Sequence, residues 1–344
     1  MSFHKELETT VRLLTASGKG ILAADESTGT IAKRFSSNAI ENVEENRRAY
    51  RELLFTTPGM ENSISGVIFF EETLGQKAKD GTSFPALLAK KGVVPGIKVD
   101  KGTINLPGAP GELVTQGLDG LGEALKQHKA NGARFAKWRG VITIGEGIPS
   151  NYCIDANAHL LARYAALCTE AGIVPIVEPE VLMDADNTIE RCFEVTSNTL
   201  QSVFDQLHRQ RVVLEHILLK PNMVVSGKKC ATQAGVNQVA EQTVRCFRSH
   251  VPAAVPGIVF LSGGQSDEDA TAHLDAIVRM GPHPWPMSFS YGRALQAPAI
   301  KAWAGKVENW KAGQAAFAHR ARMNGAAQLG KYSTSMEREV AGVR

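Results

Sequence analysis

Short apolar runs recur along the chain, and stretches of helical periodicity lie between them. Eight runs stand out: Gly20–Asp25, Ile64–Phe70, Gly96–Asp100, Phe135–Ile142, Val174–Glu180, His216–Asn222, Gly257–Gly263 and Pro286–Ser290. Most are rich in Val, Ile, Leu and Phe, as strands buried on both faces are. Between them apolar positions fall three and four apart, as Leu118, Leu121 and Leu125 do. This spacing predicts helices over Asn42–Thr56, Gly117–Lys129, Ala156–Ala171, Asn187–Arg211, Val236–His250 and Ser266–Met280. Two more are expected around Ala294–Trp303 and Val307–Ala327. Ser266 before Asp267, Glu268 and Asp269 reads as a helix cap followed by first-turn acids.

Eight strands alternating with helices predict an α/β fold, a (β/α)8 or TIM barrel. A doubly wound sheet competes with it, but that fold would carry a Gly-rich dinucleotide turn after its first strand. Here the first strand runs into Asp25-Glu26-Ser27, with no G-x-G-x-x-G. The 344 residues fit a single barrel domain over 1–344, and no linker divides them. Residues 106–111 (LPGAPG) read as a loop, and the polar segment of about 331–344 as a mobile tail.

Composition narrows the partners. The formal net charge is +3, from 38 Lys and Arg against 35 Asp and Glu. This balance argues against nucleic acid or a membrane surface as a partner, so any anion must be bound by locally placed cations. The five cysteines are odd in number and form no C-x-x-C, which reads as reduced, structural thiols in a cytoplasmic protein. The first twenty residues contain no apolar leader core, and no apolar run is long enough to span a bilayer.

Polar and charged residues gather where the predicted strands end. Asp25 ends the first, Lys98 and Asp100 the third, Glu178 and Glu180 the fifth, Lys220 and Asn222 the sixth, and Ser262 the seventh. Lys137 and Arg139 lie in the fourth, and Arg293 follows the eighth. Barrel enzymes build their sites at that end. Lys98/Asp100, Lys137/Arg139 and Glu178/Glu180 have i, i+2 spacing, so both members of each pair point to one face of their strand. If that face is the interior, each of these strands sends two charges into the barrel mouth.

A lone lysine at a strand end is ordinarily a solvated rim residue. Lys220 differs because it interrupts the apolar run ILLKPN, and an ammonium there is costly unless paired or neutralised. Lys137 in RFAKW has the same difficulty. Two lysines with Glu178 and Glu180 between them form a coupled group, in which burial and like charge can free an amine for attack on a carbonyl. For Asp100 and Arg139, salt bridging that positions the lysines is an equal reading. The turn Ser262-Gly263-Gly264-Gln265-Ser266 joins a strand to a helix and suits an anion, and Tyr291-Gly292-Arg293 adds a second close backbone approach and a cation. Ser27, Thr28, Thr30, Lys33 and Arg34 read equally as another anion site or as the start of a surface helix. The nine histidines show no H-x-H or H-E-x-x-H spacing, so no metal and no cofactor is expected.

The motifs ILAADESTGTIAKR, GIKVDKG, QGLDGL, FAKWR, GIVPIVEPE, LLKPNM, FLSGGQS, FSYGRALQ and APAIKAWAGK resemble those of the class I fructose-1,6-bisphosphate aldolases. The resemblance runs from about Leu7 to about Tyr332. It implies a (β/α)8 barrel, a cytoplasmic homotetramer, no metal, and phosphorylated sugars as substrates in glycolysis and gluconeogenesis. It implies Lys220 as the Schiff-base nucleophile, Glu178 as general acid/base with Glu180 beside it, Asp25 as a base, and Lys137 and Arg139 in support. By the same resemblance, phosphate contacts fall on Ser262, Gly263, Gly264, Ser290, Gly292 and Arg293 at one end of the sugar. At the other end they fall on Ser27, Lys33, Arg34 and Lys98. Other Schiff-base barrel enzymes, such as transaldolases, remain the alternative, as does a phosphosugar-binding barrel without catalysis. Many family members end in a tail whose last tyrosine enters the site, whereas this sequence ends AGVR with no tyrosine after Tyr332. Glu337 and Glu339 are the acids left there to protonate an enamine.

Overall fold

The structure, a computed structural model, describes residues 3–342, with side chains described through Arg338. Residues 343 and 344 and the side chain of Glu339 therefore lie outside the described residues. Eight parallel strands close into a barrel, each pairing with the next and the last with the first. They are β1 (Gly20–Ala24), β2 (Ile64–Phe69), β3 (Val94–Lys98), β4 (Phe135–Ile142), β5 (Val174–Val181), β6 (Leu218–Leu219), β7 (Ile258–Phe260) and β8 (Met287–Tyr291).

The expected barrel is present, with strand limits that differ for physical reasons. β3 starts two residues earlier than the pattern suggested and stops at Lys98. β6 is cut to two residues, because His216 belongs to the 3-10 turn Leu214–His216 and Pro221 has no N–H to give a ladder. Beyond it, Asn222 substitutes a side chain for the ladder: its Oδ1 accepts the Val181 N–H at 3.0 Å. The helix expected from Ala156 begins at Asn151, because Ser150 Oγ caps it by accepting the Cys153 N–H. The Ser266 cap is as expected, with Oγ accepting the Asp269 N–H at 3.0 Å.

The sequence pattern left several elements unread. These are the helices His4–Leu14, Glu71–Leu74 and Phe84–Lys90, and a hairpin of Thr103–Asn105 with Leu113–Thr115, whose loop contains residues 106–111. Ser27 caps a helix, Thr28–Ser36, that faces the barrel mouth. The two readings of that segment, helix start and site, are thus compatible. The five cysteines are unpaired, and four of them are buried.

The barrel interior positions the site. Ile21, Ala23, Ile68, Val94, Phe135, Val174, Ile176, Leu218 and Val259 fill its lower layers. Leu7, Val11 and Leu14 of the helix His4–Leu14 join them and close the bottom. Gly96 makes room for the Phe135 ring, since a Cβ at Gly96 would lie 2.3 Å from that ring. The period-two alternation then carries the inward face up from this floor. On β4 the inward positions run Phe135, Lys137, Arg139, while Ala136 and Trp138 pack outward into the helical layer. On β5 they run Val174, Ile176, Glu178, Glu180. One alternation builds both the dry floor and the charged mouth.

Candidate active site

A cavity of about 770 Å³ opens at the C-terminal ends of the strands. Four cations, Lys98, Lys137, Arg139 and Lys220, and four carboxylates, Asp25, Asp100, Glu178 and Glu180, line it, so this cluster is formally neutral. Its members are tied in a fixed order. Lys220 Nζ lies 3.0 Å from Glu178 Oε1, and both side chains are only 5 % exposed. Lys137 Nζ meets Asp25 Oδ2 at 2.9 Å, Glu178 Oε2 at 3.4 Å and Asp100 Oδ2 at 3.5 Å. Lys98 pairs with Asp100 Oδ1 at 2.7 Å, and Arg139 pairs with Glu180.

The electrostatics follow from this geometry. Burial opposes the charge on Asp25, but Lys137, Lys220 and Lys98 outweigh it and hold the carboxyl well below the usual carboxylate range. Asp100 is held low in the same way, its burial offset by Lys137 and Lys98. Burial also opposes the ammonium of Lys137, yet Asp25, Asp100 and Glu178 hold it well above an ordinary lysine. Glu178 Oε2 is near Lys137 but not aligned for a hydrogen bond, and among the described residues it has no hydrogen-bond partner. That leaves a buried acceptor on the same carboxylate that contacts the Lys220 amine.

Two cationic margins flank the cluster. On one side lie Ser262 and Gly263 of the turn after β7, with Ser290, Gly292 and Arg293 at the end of β8. Gly263 takes φ +54° to form that turn, and Ser290 Oγ is buried without a partner among the described residues. Arg293 Nη2 donates to the carbonyls of Gly263 at 2.6 Å and Gln265 at 3.3 Å. On the other side lie Ser27, Lys33 and Arg34, where Arg34 pairs with Glu26.

Thr28 and Asn222, singled out in the sequence, do not line this cavity, and of the residues to which the family resemblance gives a role in binding or catalysis all line it except Gly264. Its N–H donates instead to the Met183 Sδ at 3.1 Å, and the Lys228 side chain packs where a Cβ would stand. Glu26, Phe70, Glu71 and Lys101 line the cavity and were not singled out in sequence. Glu26 sits in a polar turn that looks solvated, and Lys101 and Glu71 form an exposed pair at the rim. Among the described residues no group of three or more His, Cys, Asp or Glu side chains could hold a metal ion, and no helix is long and apolar enough to cross a membrane.

The family model of the glycolytic class-I fructose-bisphosphate aldolases matches residues 6–343. A relative from Xanthomonas campestris pv. campestris, described as a probable fructose-bisphosphate aldolase class 1, is 59 % identical over 329 residues, covering 95 % of this chain and 98 % of the relative. The cytosolic fructose-bisphosphate aldolase 6 of Arabidopsis thaliana is 54 % identical over 331 residues, covering 96 % of this chain and 92 % of the relative. The Plasmodium falciparum fructose-bisphosphate aldolase, solved in complex with TRAP and a small-molecule inhibitor, superposes with a TM-score of 0.95 at 50 % identity over 96 % of both chains. This chain therefore belongs to the class-I fructose-bisphosphate aldolase family, the lyases that reversibly cleave fructose 1,6-bisphosphate to dihydroxyacetone phosphate and glyceraldehyde 3-phosphate through a lysine Schiff base.

Proposed function

We propose that Lys220 is the Schiff-base nucleophile, with Glu178 and Asp25 as its proton-handling partners. The observation that carries this reading is the Lys220 Nζ to Glu178 Oε1 contact of 3.0 Å in the cavity, with the second oxygen of Glu178 near Lys137 but without a hydrogen-bond partner among the described residues. The free amine of Lys220 adds to C2 of the ketose, and the carbonyl oxygen takes up a proton to give a carbinolamine. Glu178 protonates the departing hydroxyl, and water leaves as the iminium forms. Asp25 accepts the C4 hydroxyl proton, the C3–C4 bond breaks, and its electrons pass to the iminium nitrogen. Glyceraldehyde 3-phosphate departs with its new aldehyde. The enamine carbon takes a proton, and water hydrolyses the iminium to release dihydroxyacetone phosphate and the Lys220 amine. Lys137 holds Asp25, Asp100 and Glu178 in one geometry throughout.

The two cationic margins orient the sugar. C1 is bonded to the carbon that Lys220 attacks, and its phosphate is assigned to Ser262 and Gly263 after β7, the neighbour of β6, together with Ser290, Gly292 and Arg293 at the end of β8. Asp25 acts at C4 from β1, so the C6 phosphate belongs with Ser27, Lys33, Arg34 and Lys98. The family resemblance further implies a cytoplasmic homotetramer. The cytosolic designation of the Arabidopsis relative supports the compartment, and sedimentation of a monomer would remove the assembly.

Borohydride with dihydroxyacetone phosphate tests the chemistry. One adduct per chain should appear, and peptide mapping should place it on Lys220. A label on Lys137 or Lys98 would overturn the assignment.

A further inference from the structure

Glu26 follows Asp25 in the chain, is only 7 % exposed, and forms the hub of a buried network. Its Oε1 accepts from Arg34 Nη1 and, at 2.7 Å, from Gln296 Nε2. Its Oε2 accepts from Arg51 Nη2 at 2.7 Å. Two of these three partners also hold the strand itself. Arg51, on the helix Glu44–Phe55, donates Nε to the Ala24 carbonyl at 3.0 Å. Gln296, on the helix Arg293–Trp303, donates Nε2 to the Ala23 carbonyl at 2.7 Å. The backbone immediately before Asp25 and the side chain immediately after it are thus fixed by the same groups. The Asp25 carboxylate is in turn fixed from across the barrel by Lys137.

The two arginines are not equivalent. The Arg51 side chain is 3 % exposed and does not line the cavity. That of Arg34 is 25 % exposed and does. One buried carboxylate between two guanidiniums leaves one positive charge in excess, and Arg51 Nη1 has no hydrogen-bond partner among the described residues. Arg34 can turn toward an incoming phosphate without stranding Glu26, because Arg51 and Gln296 still saturate it.

We propose that Glu26, anchored by Arg51 and Gln296, is a positioning residue that sets the Asp25 base and the phosphate-binding Arg34 from a single Arg–Glu–Arg triad whose Glu26 and Arg51 are buried. This deepens the reading above and rests on its assignment of Asp25 to the C4 hydroxyl and Arg34 to the C6 phosphate. The chemistry separates the network from the fold at large. Cleavage needs Asp25 at C4, whereas iminium formation on dihydroxyacetone phosphate needs Lys220 and Glu178 and uses neither Asp25 nor Arg34.

The test is Arg51→Lys, which keeps the charge but cannot reach both the Ala24 carbonyl and Glu26 with a planar fork. The expected result is a fall of about tenfold or more in kcat for fructose 1,6-bisphosphate, within the roughly hundredfold that a misplacement near 1 Å can bring. Borohydride trapping of dihydroxyacetone phosphate should keep its wild-type concentration dependence. Fructose 1-phosphate, which lacks the C6 phosphate, should lose kcat by a similar factor with KM unchanged, while KM for the bisphosphate rises. Gln296→Met, which removes only the Ala23 tether and one bond to Glu26, should show the same split at smaller size, and it decides alone if Arg51→Lys does not fold. Unchanged cleavage in the folded variants, or trapping lost in parallel with cleavage, would overturn the proposal. Asp25→Asn and Arg34→Ala serve as controls. If Asp25→Asn cleaves normally, or Arg34→Ala leaves KM for the bisphosphate unchanged, the underlying site reading fails, independently of the triad.

Discussion

Lys137 touches three carboxylates at once, and much of the site's electrostatic behaviour follows from that. Asp25 has a depressed pKa, so the stability it contributes is present above the unfolded value near 3.9 and is lost as pH falls through its lower folded value. Lys137 has a raised pKa, so its contribution is complete below about 10.4 and is lost only as pH rises through its higher folded value. Between roughly pH 5 and 10 both stay charged, and neither sets a limb of the pH–rate profile there. Lys137→Met takes the shared cation from Asp25 and from the buried Asp100 and Glu178, which keep Lys98 and Lys220, and should cost about 3 kcal/mol at pH 7 and most of the cleavage activity. The Tm deficit should shrink toward pH 4, where the carboxylates protonate in the variant. A deficit independent of pH would mean that Lys137 matters for packing and not for charge. At this scale Lys220 and Lys137 were legible, because each interrupts an apolar run. Glu26 was not: its partners Arg51 and Gln296 lie 25 and 270 residues away, and only the closed barrel brings them together.

Strands and turns deliver these residues. The i, i+2 charge pairs were readable because a strand alternates faces, and the inward face is continuous from Ile176 up to Glu180 on β5. What the pattern could not give was where each ladder stops, because that depends on neighbours. β6 ends at Leu219, while the Lys220 N–H still donates to the Val177 carbonyl at 2.8 Å, so the Lys220 backbone is held by β5 as a strand residue would be. The helix His4–Leu14 was missed although Leu7, Val11 and Leu14 carry its period, because its role as a plug under the barrel is purely tertiary. The turn after β7 and the end of β8 are likewise joined only in space, by Arg293 donating to the Gly263 and Gln265 carbonyls. Arg293 is exposed, so Arg293→Ala should leave Tm within a few degrees while raising KM for the bisphosphate, since a charge-assisted phosphate contact is lost. An unchanged KM would take Arg293 out of the site.

For the molecule as a whole, the remaining question is whether the C-terminal segment takes part in turnover. Thr334–Gly342 forms a 3-10 helix, and Glu337 is bound by Arg320 Nη1 at 2.6 Å, His319 Nε2 at 2.8 Å and the Tyr332 hydroxyl at 2.9 Å. No described residue of this segment lines the candidate active-site cavity, and the contacts of Glu337 are those of a structural anion. Burial opposes its charge, but Arg320, His319 and Tyr332 hold its carboxyl below the usual range. Deleting everything after Tyr332 takes Glu337 from Arg320, whose side chain is 3 % exposed, and leaves it Asp267, with Oδ2 at 3.8 Å and the carbonyl at 2.9 Å, and the Thr271 hydroxyl. The truncated chain should lose about 2 kcal/mol at neutral pH, the scale of hydrogen bonds to a charged group, since Asp267 still faces Arg320. Because Glu337 has a depressed pKa, the loss should fade as pH drops below its unfolded value near 4.3. Below the melting range, kcat for fructose 1,6-bisphosphate should change only modestly, and proton exchange at C3 of dihydroxyacetone phosphate should persist. A steep fall in that exchange, with the trapped iminium and the fold intact, would mean that the segment does reach the enamine and that the acid lies beyond Tyr332.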